Sequence, residues 1–163
     1  MDIDEFLNKY GTSTTTNFDL RDILRDLKLK GKVIMRDEIK NYHFDDHFDD
    51  HFDDHFDDHF DDHHDEIIKY LNSENIIFNL QTIKEKGSHW VFVSKEFKIY
   101  FDSYGILPVK EIYEYIKDDF KYNTLQVQPE NSEMCGQLCI YVLYQLKECM
   151  SFEDIILELH ENF

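Results

Sequence analysis

The chain has 163 residues, of which 42% are hydrophobic and 15% aromatic, so it can bury one core but is too short for two ordinary domains. Asp and Glu outnumber Lys and Arg by 35 to 17, and the formal net charge of -18 argues against a nucleic-acid partner, because phosphate binding needs clustered Lys and Arg. We expect no membrane segment and no signal peptide, since no apolar run approaches the roughly 20 residues of a span and the chain begins with acidic residues.

The first periodic segment predicts a helix over residues 17–28, with Thr16 or Asn17 as its cap. Its apolar residues recur at helical spacing and are Phe18, Leu20, Ile23, Leu24 and Leu27. A short apolar run at 32–35 then predicts a strand.

A low-complexity tract follows and carries most of the charge excess. Residues 43–62 repeat HFDD five times and 63–66 read HHDE, which gives 12 acids and no Lys or Arg. Because these acids repel one another, we interpret 43–66 as a solvated surface insert within a single domain over residues 1–163. The alternative is a metal site, since His and Asp at this spacing can bind zinc, nickel or copper. One or two helical turns are predicted at 65–71, where the tract ends.

The rest of the chain predicts an α+β fold. Strands are predicted at 75–80, 88–93 and 97–105, followed by a helix from about 109 to 120 with Pro108 at its start. Residues 121–134 are predicted as a strand and then a loop. The segment at 135–147 is apolar on nearly all sides, which indicates a buried central helix. Ser151 and Asp154 form a capping box for a last helix that ends near His160.

The two strands on either side of residues 94–96 predict a hairpin with a catalytic pair. If its turn is centred on Lys95 and Glu96, His89 lies directly opposite Asp102 on one face of the sheet, with Cβ atoms about 4.5–5.5 Å apart. A carboxylate in this position orients an imidazole and stabilises its charged form. The alternative is a surface His–Asp pair without a catalytic role.

Cys135 opens the buried helix and is the candidate nucleophile. A thiol at a helix N-terminus lies at the positive end of the helix dipole, which favours the thiolate. Gly136 leaves room beside it for a substrate backbone. The alternative is a small buried residue, as we expect for Cys139, whereas Cys149 falls in a loop. Three cysteines within 15 residues make no disulfide framework, so we expect an intracellular location.

Gln128 lies seven residues before Cys135, in the segment QPENSEMC. An amide donor in this loop, together with the Cys135 backbone N–H, could bind a developing oxyanion. Taken alone, a loop Gln is more often a solvated side chain, so this hypothesis depends on the other candidates.

Together these motifs resemble the adenovirus-type cysteine proteases (adenain) and the related SUMO proteases. The matching segments occur in the order of that family and read HWVFV at 89–93, YFDSYG at 100–105 and QPENSEMCGQLC at 128–139. The gap of seven residues from Gln to Cys is more similar to adenain. Upstream, TNFDLRDILRDLKL, VIMRDEI and IIFNL resemble adenain-like proteases of large DNA viruses and of Polinton (Maverick) transposons.

The resemblance implies a papain-like-superfamily fold with a central antiparallel sheet and a buried nucleophile helix. The roles that it implies are general base for His89, orienting acid for Asp102, oxyanion donor for Gln128, nucleophile for Cys135 and a wall of the site for Trp90. The spacing of 13 residues between the His and the Asp is shorter than in adenain, which a tight hairpin accommodates.

The implied function is a cysteine endopeptidase that cleaves capsid or core precursors of a virus or virus-like element near glycine, in the cytoplasm, the nucleus or the virion. One alternative is a deconjugating protease for SUMO or ubiquitin-like modifiers. Another is an inactive protease-fold interaction protein with a metal-binding repeat. Adenain uses a disulfide-linked peptide and DNA as cofactors. No Cys lies between Asp102 and Cys135 and this chain is acidic, so we expect no cofactor.

Overall fold

The computed structural model describes residues 1–38, 74–81, 89–117 and 119–163. The HFDD tract and the helical turns predicted at 65–71 lie outside these ranges. The described residues form an α+β fold in which five helices surround one five-stranded sheet.

The helices are α1 (Ile3–Tyr10), α2 (Asn17–Asp26), α3 (Lys110–Ile116), α4 (Cys135–Lys147) and α5 (Phe152–Asn162). The strands are β1 (Lys32–Met35), β2 (Asn75–Asn79), β3 (Trp90–Ser94), β4 (Ile99–Phe101) and β5 (Lys121–Tyr122). They lie in the order β1-β2-β3-β4-β5. The three central strands are antiparallel, whereas each outer strand is parallel to its neighbour. The sheet is therefore mixed, and the expectation of an antiparallel sheet holds only for its centre.

Both faces of the sheet are covered, which explains why the central strands are apolar without interruption. One face packs against α1, α2, α4 and α5 through the strand residues Val33, Ile77, Trp90, Phe92, Ile99 and Phe101. The opposite face packs against α3 through Ile34, Ile76, Phe78, Val91, Val93 and Tyr100. Helix α4 is the centre of the larger cluster, because all but two of its side chains are buried.

Several predicted elements have the observed bounds, and others are shorter. The strand at 32–35 and the helix at 135–147 are confirmed residue for residue. The helix predicted over 109–120 begins only at Lys110, with Val109 as its N-cap, so Pro108 lies outside it. It ends early because Lys117 adopts a left-handed backbone with φ 55°.

Helix α1 was not predicted, although the sequence carries a signal for it. The Asp2 side chain accepts a hydrogen bond from the Glu5 backbone N–H, and the helix buries Ile3 and Phe6 on one side. In α2 the capping box formed by Thr16 and Asp19 confirms the predicted start. Phe18, counted among the apolar face of that helix, is instead 69% exposed.

Candidate active site

The hairpin that carries the His–Asp pair has a different register from the one predicted. Phe92 lies opposite Phe101 across a four-residue turn at 95–98, which is a shift of two residues. A turn of four residues was compatible with the predicted register, but this one is centred one residue further along the chain, on Glu96 and Phe97. The Ser94 hydroxyl oxygen accepts a hydrogen bond from the Phe97 N–H, and the Phe97 ring packs against the core, which fixes the turn in this position. A shift of two keeps every side chain on its original face of the sheet.

His89 and Asp102 are therefore diagonal neighbours rather than direct ones, and they are still in contact. The Nε2 atom of His89 lies 2.9 Å from Oδ1 of Asp102. The predicted contact is confirmed, although the geometry that produces it is not the one expected.

Asp102 is completely buried and is held from several sides. Its Oδ1 accepts hydrogen bonds from the His89 ring at 2.9 Å and from the Tyr104 N–H at 2.8 Å. The side-chain amide of Asn123 makes two hydrogen bonds with the Asp102 backbone. Asn123 Oδ1 accepts from the Asp102 N–H at 3.1 Å, and Asn123 Nδ2 donates to the Asp102 carbonyl at 2.6 Å. Among the described residues, nothing pairs with Asp102 Oδ2. The carboxylate is thus fixed in orientation and directed at the imidazole.

The segment DSYG forms a tight turn immediately after β4. The Gly105 N–H donates to the Asp102 carbonyl at 2.8 Å, and the Asp102 side chain bonds to the backbone two residues further on. Gly105 has φ +70°, and a Cβ there would lie 2.6 Å from the Thr124 carbonyl oxygen. This position therefore requires glycine, and the turn places Tyr104 beside the His–Asp pair.

Cys135 is the first residue of α4, as predicted, and is 4% exposed. It makes a side-chain hydrogen bond with His89. Since His89 Nε2 faces Asp102, Nδ1 is the ring nitrogen left to meet the sulfur. Burial lowers the pKa of His89, but the hydrogen bonds and negative charges of Asp102 and Cys135 outweigh it and raise this pKa from 6.5 to about 9. The imidazole is accordingly charged at neutral pH, between two acidic groups.

Gln128 is buried rather than solvated, with 2% of its surface exposed. Its Oε1 accepts a hydrogen bond of 2.6 Å from the Ser103 hydroxyl. The Ser132 carbonyl can only accept, so the end of the amide that faces it must be the donor. Gln128 Nε2 donates to the Ser132 carbonyl at 2.8 Å and, at 3.4 Å, to the Tyr104 hydroxyl. The amide is therefore oriented within the loop, while its part in oxyanion binding remains a prediction.

Gly136 is tightly packed against the N-terminal segment of the chain. A Cβ at this position would overlap Thr15 Oγ1 and would lie 2.9 Å from Leu20 Cδ2 and 3.2 Å from Trp90 Cδ1. Trp90 is buried there, and its Nε1 donates to the Thr15 carbonyl at 3.3 Å. The structure thus explains the glycine by close packing, and the substrate contacts predicted for Gly136 and Trp90 remain predictions.

Trp90 also lines a cavity of about 450 Å³ next to β1 and the loop before α2. Its walls are Thr14, Thr15, Thr16, Asn17, Arg21, Val33, Ile34, Met35, Glu38, Asn79 and Trp90. Because Thr15 and Trp90 border Gly136, this cavity begins beside the residue that follows the nucleophile.

The other cysteines occupy the positions expected for them. Cys139 is buried inside α4, where burial raises the pKa of its thiol. Cys149 is exposed between α4 and α5 with φ +67°. Within the described ranges, no group of three or more His, Cys, Asp or Glu side chains could hold a metal ion. None of the described helices is both long and apolar enough to cross a membrane.

Three residues that contact the predicted site were not singled out from the sequence. Asn123 contacts Asp102, from which it is 21 residues away in the chain, and Ser103 contacts Gln128, 25 residues away. No local sequence pattern predicts contacts over such separations. Tyr104 was visible only as part of the DSYG segment. No protein-family model, curated protein or solved structure matches this chain.

Proposed function

We propose that this protein is a cysteine peptidase of the adenain-like (adenovirus-type) family. The observation that carries the proposal is the position of His89, which contacts the buried Asp102 carboxylate on one side and the Cys135 thiol on the other. Cys135 also lies at the N-terminus of a buried helix. The combination of a nucleophile, a charged imidazole and an orienting acid is the one that thiol acyl transfer requires.

In the acylation step, the Cys135 thiolate attacks the scissile carbonyl carbon and the π electrons move to the carbonyl oxygen. The oxyanion is stabilised by the Gln128 amide and by the Cys135 backbone N–H, which lies in the first turn of α4. The intermediate collapses when the C–N bond breaks. The proton on the His89 imidazolium moves to the leaving amine, and a thioester to Cys135 remains.

In the deacylation step, the neutral His89 takes a proton from water while the water oxygen attacks the thioester carbon. A second oxyanion forms at the same place and collapses with cleavage of the C–S bond. The products are a carboxylic acid, the Cys135 thiolate and the imidazolium of His89. The acid leaves the site and releases its proton to the solvent, so the starting state of the enzyme returns. Asp102 stays ionised throughout and holds the ring in position.

The substrate proposed is a protein with glycine near the scissile bond, cleaved during maturation of capsid or core precursors of a virus or virus-like element. The sequence resemblance supports this substrate class, since the cleft of that family is narrow and accepts small residues.

The experiment that tests the peptidase uses a library of short peptides, some of which contain glycine. We expect the wild-type chain to cleave glycine-containing members and Cys135→Ser to lose cleavage while it keeps its thermal stability, because a hydroxyl is a far weaker nucleophile with this base. Cys149→Ser is the matched control and should keep full activity.

Thiol labelling provides a second measurement that needs no substrate. In the Cys149→Ser chain, which lacks the exposed thiol, iodoacetamide at neutral pH should label Cys135 selectively over the buried Cys139, and His89→Ala should slow that labelling. Undiminished cleavage by Cys135→Ser, or labelling that does not depend on His89, would refute the proposed nucleophile and base.

A further inference from the structure

Tyr104 contacts three of the residues that the proposed reaction uses. Its ring lies 5.0 Å from the His89 ring, centroid to centroid, with an angle of 33° between the planes. Its backbone N–H donates to Asp102 Oδ1, and its hydroxyl oxygen accepts from Gln128 Nε2 at 3.4 Å. The phenol therefore lies across the site, with its hydroxyl on the side of the oxyanion donor.

The charge of the nucleophile also affects the pKa of the Tyr104 hydroxyl. Burial raises the pKa of Tyr104, and the charges of Cys135 and Asp102 raise it further, so the phenol keeps its proton. A phenol donates one hydrogen bond as well as accepting. Among the hydrogen bonds between described residues, the Tyr104 hydroxyl takes part only in the contact with Gln128 Nε2, and it does so as the acceptor.

We propose that Tyr104 is a further oxyanion donor, whose O–H binds the negative oxygen formed when Cys135 attacks a substrate carbonyl. This inference rests on the proposed peptidase function. The contact of 3.4 Å from the Gln128 amide to the phenol oxygen lies beyond the usual range for hydrogen bonds. An oxyanion offers both groups a shorter, charge-assisted bond, so the amide N–H and the phenol O–H converge on it. No proton is transferred, and the Cys135 N–H completes the set of donors.

The ring and the hydroxyl have to be tested separately, because the ring also stacks on His89. Tyr104→Phe removes only the hydroxyl and keeps the stacked ring. Tyr113→Phe is the matched control, since Tyr113 is exposed on α3 and the substitution removes the same group.

Steady-state cleavage is measured for both variants, together with inhibition by a peptide aldehyde that forms a tetrahedral adduct with Cys135. Tyr104→Phe should lower kcat by at least about 10-fold, towards the roughly 10² to 10³ known for loss of one oxyanion donor. KM and the pKa of His89, followed by NMR, should stay unchanged. The inhibition constant of the aldehyde should rise in parallel with the loss of kcat.

Two different failures can be told apart. If Tyr104→Phe behaves like Tyr113→Phe while the wild-type chain cleaves peptides, the hydroxyl is no oxyanion donor and the inference is wrong. An increase in kcat would show that the phenol obstructs the site and would also overturn it. If the wild-type chain neither cleaves peptides nor forms an adduct visible by mass spectrometry, the peptidase proposal itself is wrong and the inference falls with it.

Discussion

The proton on His89 controls the proposed reaction. With a pKa of about 9, the imidazolium is available at neutral pH to protonate the leaving amine. We expect kcat/KM to fall as the pH rises through about 9. Asp102→Asn should move this decline to lower pH, because it removes the charge that favours the imidazolium. A pH–rate profile of both proteins measures the effect, and a decline that stays in place in the variant would contradict it.

The same shift links the charge of His89 to stability. Its pKa in the folded chain, about 9, lies above the ordinary value of 6.5, so the proton binds more tightly to the folded state. The contribution of the His89 proton to the stability of the folded chain is complete below pH 6.5 and is lost as the pH rises through about 9. We expect the difference in thermal midpoint between wild type and His89→Gln to shrink across this interval. Thermal unfolding at a series of pH values tests this, and a constant difference would show that folding leaves the affinity of His89 for its proton unchanged.

The buried amide of Gln128 leads to a prediction about turnover. Gln128→Ala should lower kcat by on the order of 10²- to 10³-fold, as the loss of one oxyanion donor does, while binding of a non-hydrolysable substrate changes little. Ser103→Ala is the comparison, because it keeps the amide and removes only the hydroxyl that orients it. Its loss should be smaller. Unchanged turnover in Gln128→Ala, with chemistry shown to limit the rate, would mean that another group binds the oxyanion.

Individual contacts at the site were predictable only where the two-residue alternation of side chains along a strand determines them. The contact of His89 with Asp102 survived a wrong register because a shift of two residues preserves the face of the sheet. The orientation of Gln128 was not predictable. It depends on Ser103, 25 residues away, and on a loop whose path is set by tertiary packing.

At the level of helices, α4 packs so closely against the loop before α2 that we expect a methyl group added at Gly136 to destabilise the fold. Gly136→Ala should lower the free energy of unfolding by about 1–2 kcal/mol, since the new Cβ overlaps Thr15 and overpacking outweighs the gain in helix propensity. Gly31→Ala is the control, because its Cβ would make only ordinary contacts of 3.4 Å or more. Urea unfolding compares them, and equal stability of the two variants would show that Thr15 yields without cost.

Elements with a strong local signal were predicted well. The uninterrupted apolar character of α4 and the short apolar run of β1 defined their bounds. The position of the hairpin turn was not predictable, because it depends on the hydrogen bond of the Ser94 side chain within the turn and on burial of Phe97. Helix α1 could have been found from its Asp2 cap and the spacing of Ile3 and Phe6.

At the scale of the whole molecule, we expect the connection between β1 and β2 to tolerate a shortening without loss of the fold. These strands are parallel neighbours, joined by the 39 residues from 36 to 74. Deletion of 43–62 leaves 19 residues, still more than the dozen or so that a parallel crossover needs, and each doubling of a loop costs only about 0.6 kcal/mol. We expect nearly unchanged thermal stability and peptide turnover, a net charge of -8 instead of -18, and loss of any zinc or nickel binding by the tract.

A matched control replaces the same 20 residues with Gly and Ser, which keeps the length of the connection and removes its composition. Calorimetry with zinc measures metal affinity in all three proteins. A collapse of turnover in the deletion that zinc does not explain would show that the tract shapes the substrate cleft, and would contradict its interpretation as a surface insert.

The hairpin with His89 and helix α4 with Cys135 meet in one hydrophobic cluster, to which Phe92 and Leu138 contribute. In a chain that unfolds cooperatively, neither element keeps its position without the other. A denaturant titration should therefore abolish selective labelling of Cys135 and the helical circular dichroism signal at the same midpoint. The reactivity of one thiol would then count folded molecules directly, even in a mixture where spectroscopy cannot isolate this chain.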